Sequence, residues 1–293
     1  MRVAVIDVGS NTARLLVAEQ GPTGPRRVGE AKAYLRLGAE ILRTGGVGAA
    51  KLAETAEETR RFAAIARELD AAAIDVFVTA PARQAGNADE LVSTIARATG
   101  GLVRVLSAEE EGTLAYEGAL ANTSVASEPV AVCDVGGGSS EVTVGDRRRG
   151  VFWSRSVELG SLRLTAAALP ADPPTRKQLR RARALVEEQF AVVDPPAVGT
   201  ALAVGGSARA LAKLTGRQLG ADALERALEE IVERPAAETA RASSLDTDRA
   251  ATLAGGAIIL LELGRRLDAS LTLAGGGLRE GAVARLLTAR HAA

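Results

Sequence analysis

VAVCDVGGGSSEVTVG, spanning Val130 to Gly145, decides how the rest of the 293-residue chain is read. An apolar, β-rich run meets Asp134. Gly136, Gly137, Gly138, Ser139 and Ser140 follow, then Glu141 and a second β-branched run. The pattern is strand, tight turn, strand. Adjacent glycines let a backbone approach a ligand closely, and the N–H groups of such a turn can converge on an anion. Asp134 and Glu141 flank the turn with carboxylates, which suits Mg²⁺ beside a phosphate.

The stretch occurs twice. Val3 to Ala18, VAVIDVGSNTARLLVA, aligns to it without a gap, with seven of sixteen positions identical, including Asp7/Asp134 and Gly9/Gly136. Two copies predict two related domains, each offering a phosphate-binding hairpin: Asp7, Gly9, Ser10, Asn11 and Thr12 in one, Gly136 to Ser140 in the other. The turns Gly9–Thr12 and Gly136–Ser139 are expected to face each other across a cleft.

Composition narrows the classes. Apolar residues make up 47% of the chain and aromatics only 2%, so the cores must be Ala, Val and Leu. Lys plus Arg (36) balance Asp plus Glu (36), so no global field favours nucleic acid or membranes, and a polyanion must be met by a local patch. The single cysteine, Cys133, permits no internal disulfide and fits a reducing compartment. The first residues read as a strand and not a signal peptide. The longest apolar run, near Ala257–Leu261, is too short to span a bilayer. A cytoplasmic protein is expected.

Strand–helix alternation indicates an α/β fold. Residues 1–121 form a first domain and residues 122–280 a second, with the boundary in the polar stretch Asn122–Glu128. Gly21–Arg27 reads as a loop from its Gly and Pro content. Ala31–Arg43 reads as a strand ending near Gly38 and then a helical turn. Ala49–Leu69 reads as an amphipathic helix, with Leu52, Ala56, Phe62, Ile65, Ala66 and Leu69 on one face. Ile74–Thr79 is a strand followed by a loop carrying Arg83 and Asn87. Asp248–Leu267 reads as one long helix despite Gly255 and Gly256.

Several motifs carry chemistry. Ser107 with Glu110 fits the S-x-x-E capping box that opens a helix, which gives Glu110 a structural task. Glu109 and Glu111 are both left as candidate general bases, and the residues alone do not choose between them. Arg83 follows a strand, where α/β ligand sites lie, and its guanidinium could hold phosphate oxygens; a solvated loop arginine is the plainer alternative. Gly205-Gly206-Ser207 and Gly275-Gly276-Gly277 each end a strand and open a helix, as phosphate-binding turns or as plain connections. Arg176, Lys177, Arg180, Arg181 and Arg183 share one predicted helix, either a solvated face or a path for a long polyanion. Arg147 to Arg149 sit in a hairpin turn. No His/Cys cluster suggests a transition-metal site, and His291, the single histidine, is given no role.

These pieces, in order and spacing, resemble the exopolyphosphatase / guanosine pentaphosphate phosphohydrolase (Ppx/GppA) family, a branch of the actin, Hsp70 and sugar kinase superfamily. The matching words are DVGSNT at Asp7–Thr12, TxxxRxAxN at Thr79–Asn87, LSAEEEGTLAYEG at Leu106–Gly118 and DVGGGSSE at Asp134–Glu141. ELGSLRLT at Glu158–Thr165, AVGGSARAL at Ala203–Leu211 and LAGGGLREG at Leu273–Gly281 follow. The resemblance implies two ribonuclease-H-like domains with the site in the cleft between them, and a last helix, about 281–293, packed back on the first domain. It implies Glu111 as catalytic base, Arg83 as active-site arginine, and Asp134 and Glu141 at Mg²⁺. Departures are Ala108 where members often have Gly, Thr113 where an Arg is usual, and an end shortly after LREG, as in the short two-domain members.

The function so implied is release of terminal orthophosphate from inorganic polyphosphate, with short chains preferred, by Mg²⁺-assisted water attack in a cytoplasmic homodimer. Hydrolysis of the 5′-phosphate of pppGpp is the alternative, as is a non-catalytic regulator that binds (p)ppGpp or polyphosphate. A kinase of the same superfamily lacks an adenosine-pocket signature.

Overall fold

The structure, a computed structural model, describes residues 1–22 and 24–291. The chain divides into two compact units: residues 1–121 joined by the segment from Leu278 onward, and Asn122–Gly277. Unit 1 contains β1 (Arg2–Val8), β2 (Thr12–Gly21), β3 (Gly24–Tyr34), α1 (Leu37–Thr44), α2 (Ala49–Glu68), β4 (Ala71–Val78), α3 (Ala80–Gln84), α4 (Ala88–Thr99), β5 (Val103–Val105) and α5 (Ala108–Ala121). Unit 2 contains β6 (Val130–Val135), β7 (Ser140–Asp146), β8 (Gly150–Val157), α6 (Ser161–Ala168), α7 (Arg176–Gln189), β9 (Thr200–Val204), α8 (Gly205–Thr215), β10 (Gln218–Leu219), α9 (Ala221–Val232), α10 (Ala236–Ala242), α11 (Thr247–Ala250), α12 (Leu253–Leu267) and β11 (Leu271–Leu273). The last helix, α13 (Leu278–His291), belongs to unit 1. The last helix read from the sequence extends to 293, and residues 292 and 293 lie outside the described part.

The two sheets share one plan. Unit 1 has strand order β3-β2-β1-β4-β5 and unit 2 β10-β11-β9-β6-β7-β8. Read from its other edge, the second sheet runs β8-β7-β6-β9-β11, which repeats the first with β10 added. In both, a three-strand antiparallel meander meets a parallel strand at its first member. This is the actin-like, ribonuclease-H-like α/β fold. The register repeats too: Asp7 lies opposite Arg14 and Asp134 opposite Glu141.

Burial on both faces shapes the central strands. In β1, Ala4, Ile6 and Val8 join a core with Phe62, Leu91 and Ile95, and the alternating Val3 and Val5 are equally buried on the other face. There α13 packs on β1, β2 and β3, and also against α5. In unit 2, β6 and β7 pack under α6, α8 and α12 in a core of Val, Leu and Ala. The cores are aliphatic, as the composition requires. Phe62, Phe77 and Phe190 are the largest fully buried side chains.

Tertiary pairing overrides several local signals. Gly21–Arg27 is not a loop: β2 runs to Gly21 and β3 starts at Gly24, because cross-strand pairing from Gly21/Gly24 onward outweighs Gly and Pro content. The strand expected from Ala31 to about Gly38 ends at Tyr34, and α1 starts at Leu37. The predicted helix face of α2 is partly wrong. Thr55 and Thr59 are fully buried and Ala56 is half-buried, since both threonine hydroxyls bond back to carbonyls one turn earlier. Asp248–Leu267 is two helices. Thr252 stands just before the second without capping it, and its hydroxyl bonds back to the Arg249 carbonyl, which offers the backbone an alternative to the ladder. Gly255 and Gly256 allow α12 to approach α6 and α8: a Cβ on Gly255 would stand 2.7 Å from the Ser161 carbonyl oxygen, and one on Gly256 3.0 Å from the Ser207 Cβ.

The tightest helix contact in unit 1 is α13 on α5. A Cβ at Gly281 would collide with the Leu114 carbonyl and lie 3.1 Å from the Gly118 nitrogen. Backbone cannot yield as a side-chain tip can. Gly281→Ala is therefore expected to lower unfolding free energy by about 1–3 kcal/mol, read as a shifted urea midpoint with unchanged m-value. An unshifted midpoint would show that α13 does not pack on α5 at this distance.

Candidate functional site

Each repeated hairpin closes through the same bond. Gly9 N–H donates to the Thr12 carbonyl and Gly136 N–H to the Ser139 carbonyl, both at 3.0 Å. Two further carbonyls of each turn are bound by N–H groups at, or just before, the start of the helix that follows the third strand. In unit 2, Ser161 N–H donates to Gly136 O at 2.9 Å, and Leu162 and Arg163 N–H donate to Gly137 O at 3.1 and 3.2 Å. In unit 1, Gly38 N–H donates to Ser10 O at 2.7 Å, and Leu35 and Arg36 N–H share Asn11 O at 3.1 Å each. Carbonyl and N–H of one peptide point opposite ways. The N–H groups of Asn11 and Thr12, and of Gly137 and Gly138, are therefore turned away from α1 and α6.

Gly160 makes the second docking possible. A Cβ there would stand 2.5 Å from the Gly137 carbonyl carbon and 2.6 Å from the Gly136 oxygen.

Three polar atoms, two at the first hairpin turn and one in the first turn of α8, are buried and have no hydrogen-bond partner among the described residues: the hydroxyls of Ser10 and Ser207 and the amide nitrogen of Asn11. These residues are 4%, 2% and 6% exposed. A buried donor without a partner costs about 1–3 kcal/mol. Finding three at sequence-predicted phosphate turns supports a ligand that accepts hydrogen bonds there.

Unit 1 also brings together two residues that sequence reading placed apart. Arg83 lies on the short helix α3 and not in a loop, because Pro81 fits the first turn of a helix and Ala85 N–H closes on its carbonyl. Arg83 Nη1 donates to Glu111 Oε2 at 2.8 Å and to the Leu106 carbonyl at 2.9 Å. Both side chains are largely buried, 18% and 12% exposed. Glu110 does the expected capping: its Oε2 accepts from Ser107 N–H at 2.9 Å, and Glu110 N–H donates to Ser107 Oγ at 3.1 Å. Glu109 is exposed. Of the three glutamates, Glu111 is the buried one, and it faces a guanidinium.

In unit 2, Asp134 and Glu141 are cross-strand neighbours at the base of the turn. Glu141 is 2% exposed and accepts from Ser156 Oγ at 2.9 Å. Gly205 adopts φ +85°, and a Cβ there would collide with Asp134 Oδ1, so the Asp134 carboxylate lies against the first turn of α8. Two hard carboxylates on one turn fit Mg²⁺, which takes one or two protein carboxylates and completes its shell with water and substrate phosphates. Among the described residues no group of three or more His, Cys, Asp or Glu forms a denser metal site. Cys133 is inert: burial, and then the Asp134 charge, push its thiol up to about 12.

Ser140 is fully buried and its hydroxyl donates to the Leu159 carbonyl at 2.8 Å. Arg249, which sequence reading missed, also lies here. A Cβ on Gly206 would be 2.6 Å from Arg249 Nη2, so this guanidinium, 9% exposed, covers the opening turn of α8. No motif marked it. Its one signal was an arginine in a run read as one long helix.

A profile of the Ppx/GppA phosphatase family matches residues 16–290. Exopolyphosphatase 1 of Mycobacterium bovis is 31% identical, over 98% of this chain and 88% of its own. Exopolyphosphatase 2 of Mycobacterium tuberculosis is 29% identical over 91% of each chain. The crystal structure of the Aquifex aeolicus Ppx/GppA family member superposes with a TM-score of 0.82 at 26% identity, covering 99% of this chain and 98% of that one. An exopolyphosphatase structure from Cytophaga hutchinsonii gives 0.87 at 18% identity over 99% and 98%, a likeness of fold alone. No described helix is long and apolar enough to cross a membrane.

The Glu110 cap makes a pH-dependent contribution. Its carboxyl is held below the ordinary glutamate value of 4.5, first by the Ser107 backbone N–H and then by the Ser107 hydroxyl, Arg104 and Arg285, although partial burial acts the other way. A depressed folded value means stability present above about pH 4.5 and lost as pH falls through the folded value. Glu110→Ala should cost about 1 kcal/mol at neutral pH, and that difference should shrink below pH 4.5. Glu110→Gln, which keeps the box, should change little at neutral pH. A wild-type-minus-Ala difference constant from pH 7 to acid would contradict the charged cap.

Proposed function

The chain belongs to the Ppx/GppA phosphatase family, and we propose that within it this protein is an exopolyphosphatase. It releases orthophosphate from the end of inorganic polyphosphate by attack of water on the terminal phosphorus. The observation that carries this reading is the set of partnerless buried donors: Ser10 and Asn11, at a turn whose N–H groups face away from α1, and Ser207 in the first turn of α8. Phosphate oxygens would supply the missing acceptors. The similarity to mycobacterial exopolyphosphatases supports the choice of substrate.

In this reading the turns Gly9–Thr12, Gly136–Ser139 and Gly205–Ser207 bind phosphate oxygens. Arg83, bonded to both Glu111 and the Leu106 carbonyl, fixes the direction of the Glu111 carboxylate. Glu111 takes one proton from the attacking water. The water oxygen forms the new P–O bond, the bridging P–O bond breaks, and the shortened chain leaves with the electron pair. Asp134 and Glu141 would hold Mg²⁺, which when bound offsets phosphate charge. Phosphate release from tripolyphosphate, long-chain polyphosphate, pppGpp and ATP, each with and without Mg²⁺, tests the assignment. Release from pppGpp in preference to both polyphosphates would overturn it in favour of the nucleotide phosphohydrolase, and tight binding without release would leave a regulator.

Glu111→Gln keeps shape but cannot take the proton, so kcat should fall by about 10²–10⁴-fold. Polyphosphate affinity should persist or rise, because a negative charge leaves an anion site. Glu110→Gln should leave kcat near wild type. Near-normal turnover by Glu111→Gln, with loss in Glu109→Gln or Glu110→Gln, would show that the base is misassigned.

A further inference from the structure

Helix α7 carries its charges against its own dipole. Its first two turns hold Arg176, Lys177, Arg180 and Arg181 and no acid, and its last turn holds Glu187 and Glu188 and no base. Helices are stabilised by the opposite order, acids at the N-terminus and bases at the C-terminus. The cap is neutral: Thr175 and Gln178 complete a capping box without a carboxylate.

These cations also have no partners. Arg176, Lys177, Arg180 and Arg181 are exposed and make no ion pair or hydrogen bond among the described residues. Several cations on other helices are matched within one turn: Lys51 with Glu54, Arg60 with Glu57, Arg61 with Glu58, Arg265 and Arg266 with Glu262. On α7 itself, Arg183, one turn further on, pairs with Glu225. The nearby acid before the helix, Asp172, accepts from Ala236 N–H at 2.8 Å. Four neighbouring positive charges therefore stand unneutralised on a chain of zero net charge.

Their place in the fold gives the patch a direction. Helix α6 begins on the Gly136 and Gly137 carbonyls, spans about 12 Å at 1.5 Å per residue, and packs against α7. A linear polyanion with its end at the Gly136–Ser139 turn could run past α6 toward the start of α7.

We infer that the exposed N-terminal half of α7 is an accessory polyphosphate-binding surface, which holds a part of the chain remote from the terminal phosphate. This rests on the exopolyphosphatase reading for the direction of the chain, though not for the binding itself. The misplaced charges are then a functional arrangement kept at a cost in helix stability.

The test is the fourfold variant R176Q/K177Q/R180Q/R181Q in the full chain. Long-chain polyphosphate binding is measured by competition anisotropy without divalent cation, across a salt series, beside KM and kcat for long-chain polyphosphate and tripolyphosphate. The expected result is at least about tenfold weaker long-chain binding with a shallower salt slope, as lost phosphate contacts require. The long-chain KM should rise in parallel, tripolyphosphate constants should not change, and the melting temperature should be equal or higher. The charge-preserving R176K/R180K/R181K variant should bind like wild type. Unchanged long-chain affinity and salt slope would overturn the inference. So would an equal loss on tripolyphosphate, or loss of duplex DNA or anionic-vesicle binding with polyphosphate binding intact. If wild type releases no phosphate from any polyphosphate, the exopolyphosphatase reading fails, and the anisotropy comparison still decides whether α7 binds the polyanion.

Discussion

The structure depends on how the carbonyls of two tight turns are held. A glycine-rich turn has many conformations available, and its N–H groups converge on an anion only if its carbonyls are kept elsewhere. Here each turn is tied to the backbone N–H groups at or just before the first turn of the helix that follows its meander, α1 in unit 1 and α6 in unit 2. Those N–H groups lack intrahelical partners by construction, so the bond satisfies both sides. The order strand, turn, strand, strand, helix is thus the smallest segment that builds the site, and the chain contains it twice.

The Glu111 carboxylate depends on a second set of constraints, all within unit 1. The Ser107–Glu110 box starts α5 where β5 ends, and Leu106 N–H bonds the Val78 carbonyl at the end of β4. Arg83 then binds both the carboxylate and the Leu106 carbonyl. At its far side α5 is pressed on α13 through the glycine contact at Gly281, with Arg285 holding Glu117 through two 2.6 Å bonds. The last helix in sequence therefore fixes the element that carries a residue far earlier in the chain. This is why LREG belongs with the motifs, although it contains no group placed in the chemistry.

What could be read from the sequence was what is local. The repeat, the turn chemistry of DVGGGSSE and the capping box each lie within a few residues, and each corresponds to an observed hydrogen bond. The doubled fold followed from the repeat. Non-local features were not readable. Nothing in the Arg83 segment shows that its partner is Glu111, and nothing near Arg249 shows that it will lie on Gly206. The break before Leu253 turns on one threonine hydroxyl bonding backwards, which periodicity does not register. The strand at Gly24–Arg27 is set by its pairing with β2 and not by its own composition. The hydrogen bond from the Ser140 hydroxyl to the Leu159 carbonyl is likewise not legible in the motif.

The two copies also differ in a way that separates their chemistry. Facing the hairpin aspartate across the strand pair, unit 1 has Arg14 and unit 2 has Glu141. In the first hairpin the register sets a cation opposite the carboxylate. The second places two carboxylates at directly opposite cross-strand positions. Ser156 donates one hydrogen bond to Glu141, and the Gly205 backbone passes close to Asp134. The two copies of the motif thus differ in charge at this register position, with a cation opposite Asp7 and a second carboxylate opposite Asp134. The register position that separates them, Arg14 against Glu141, is a single residue in each copy.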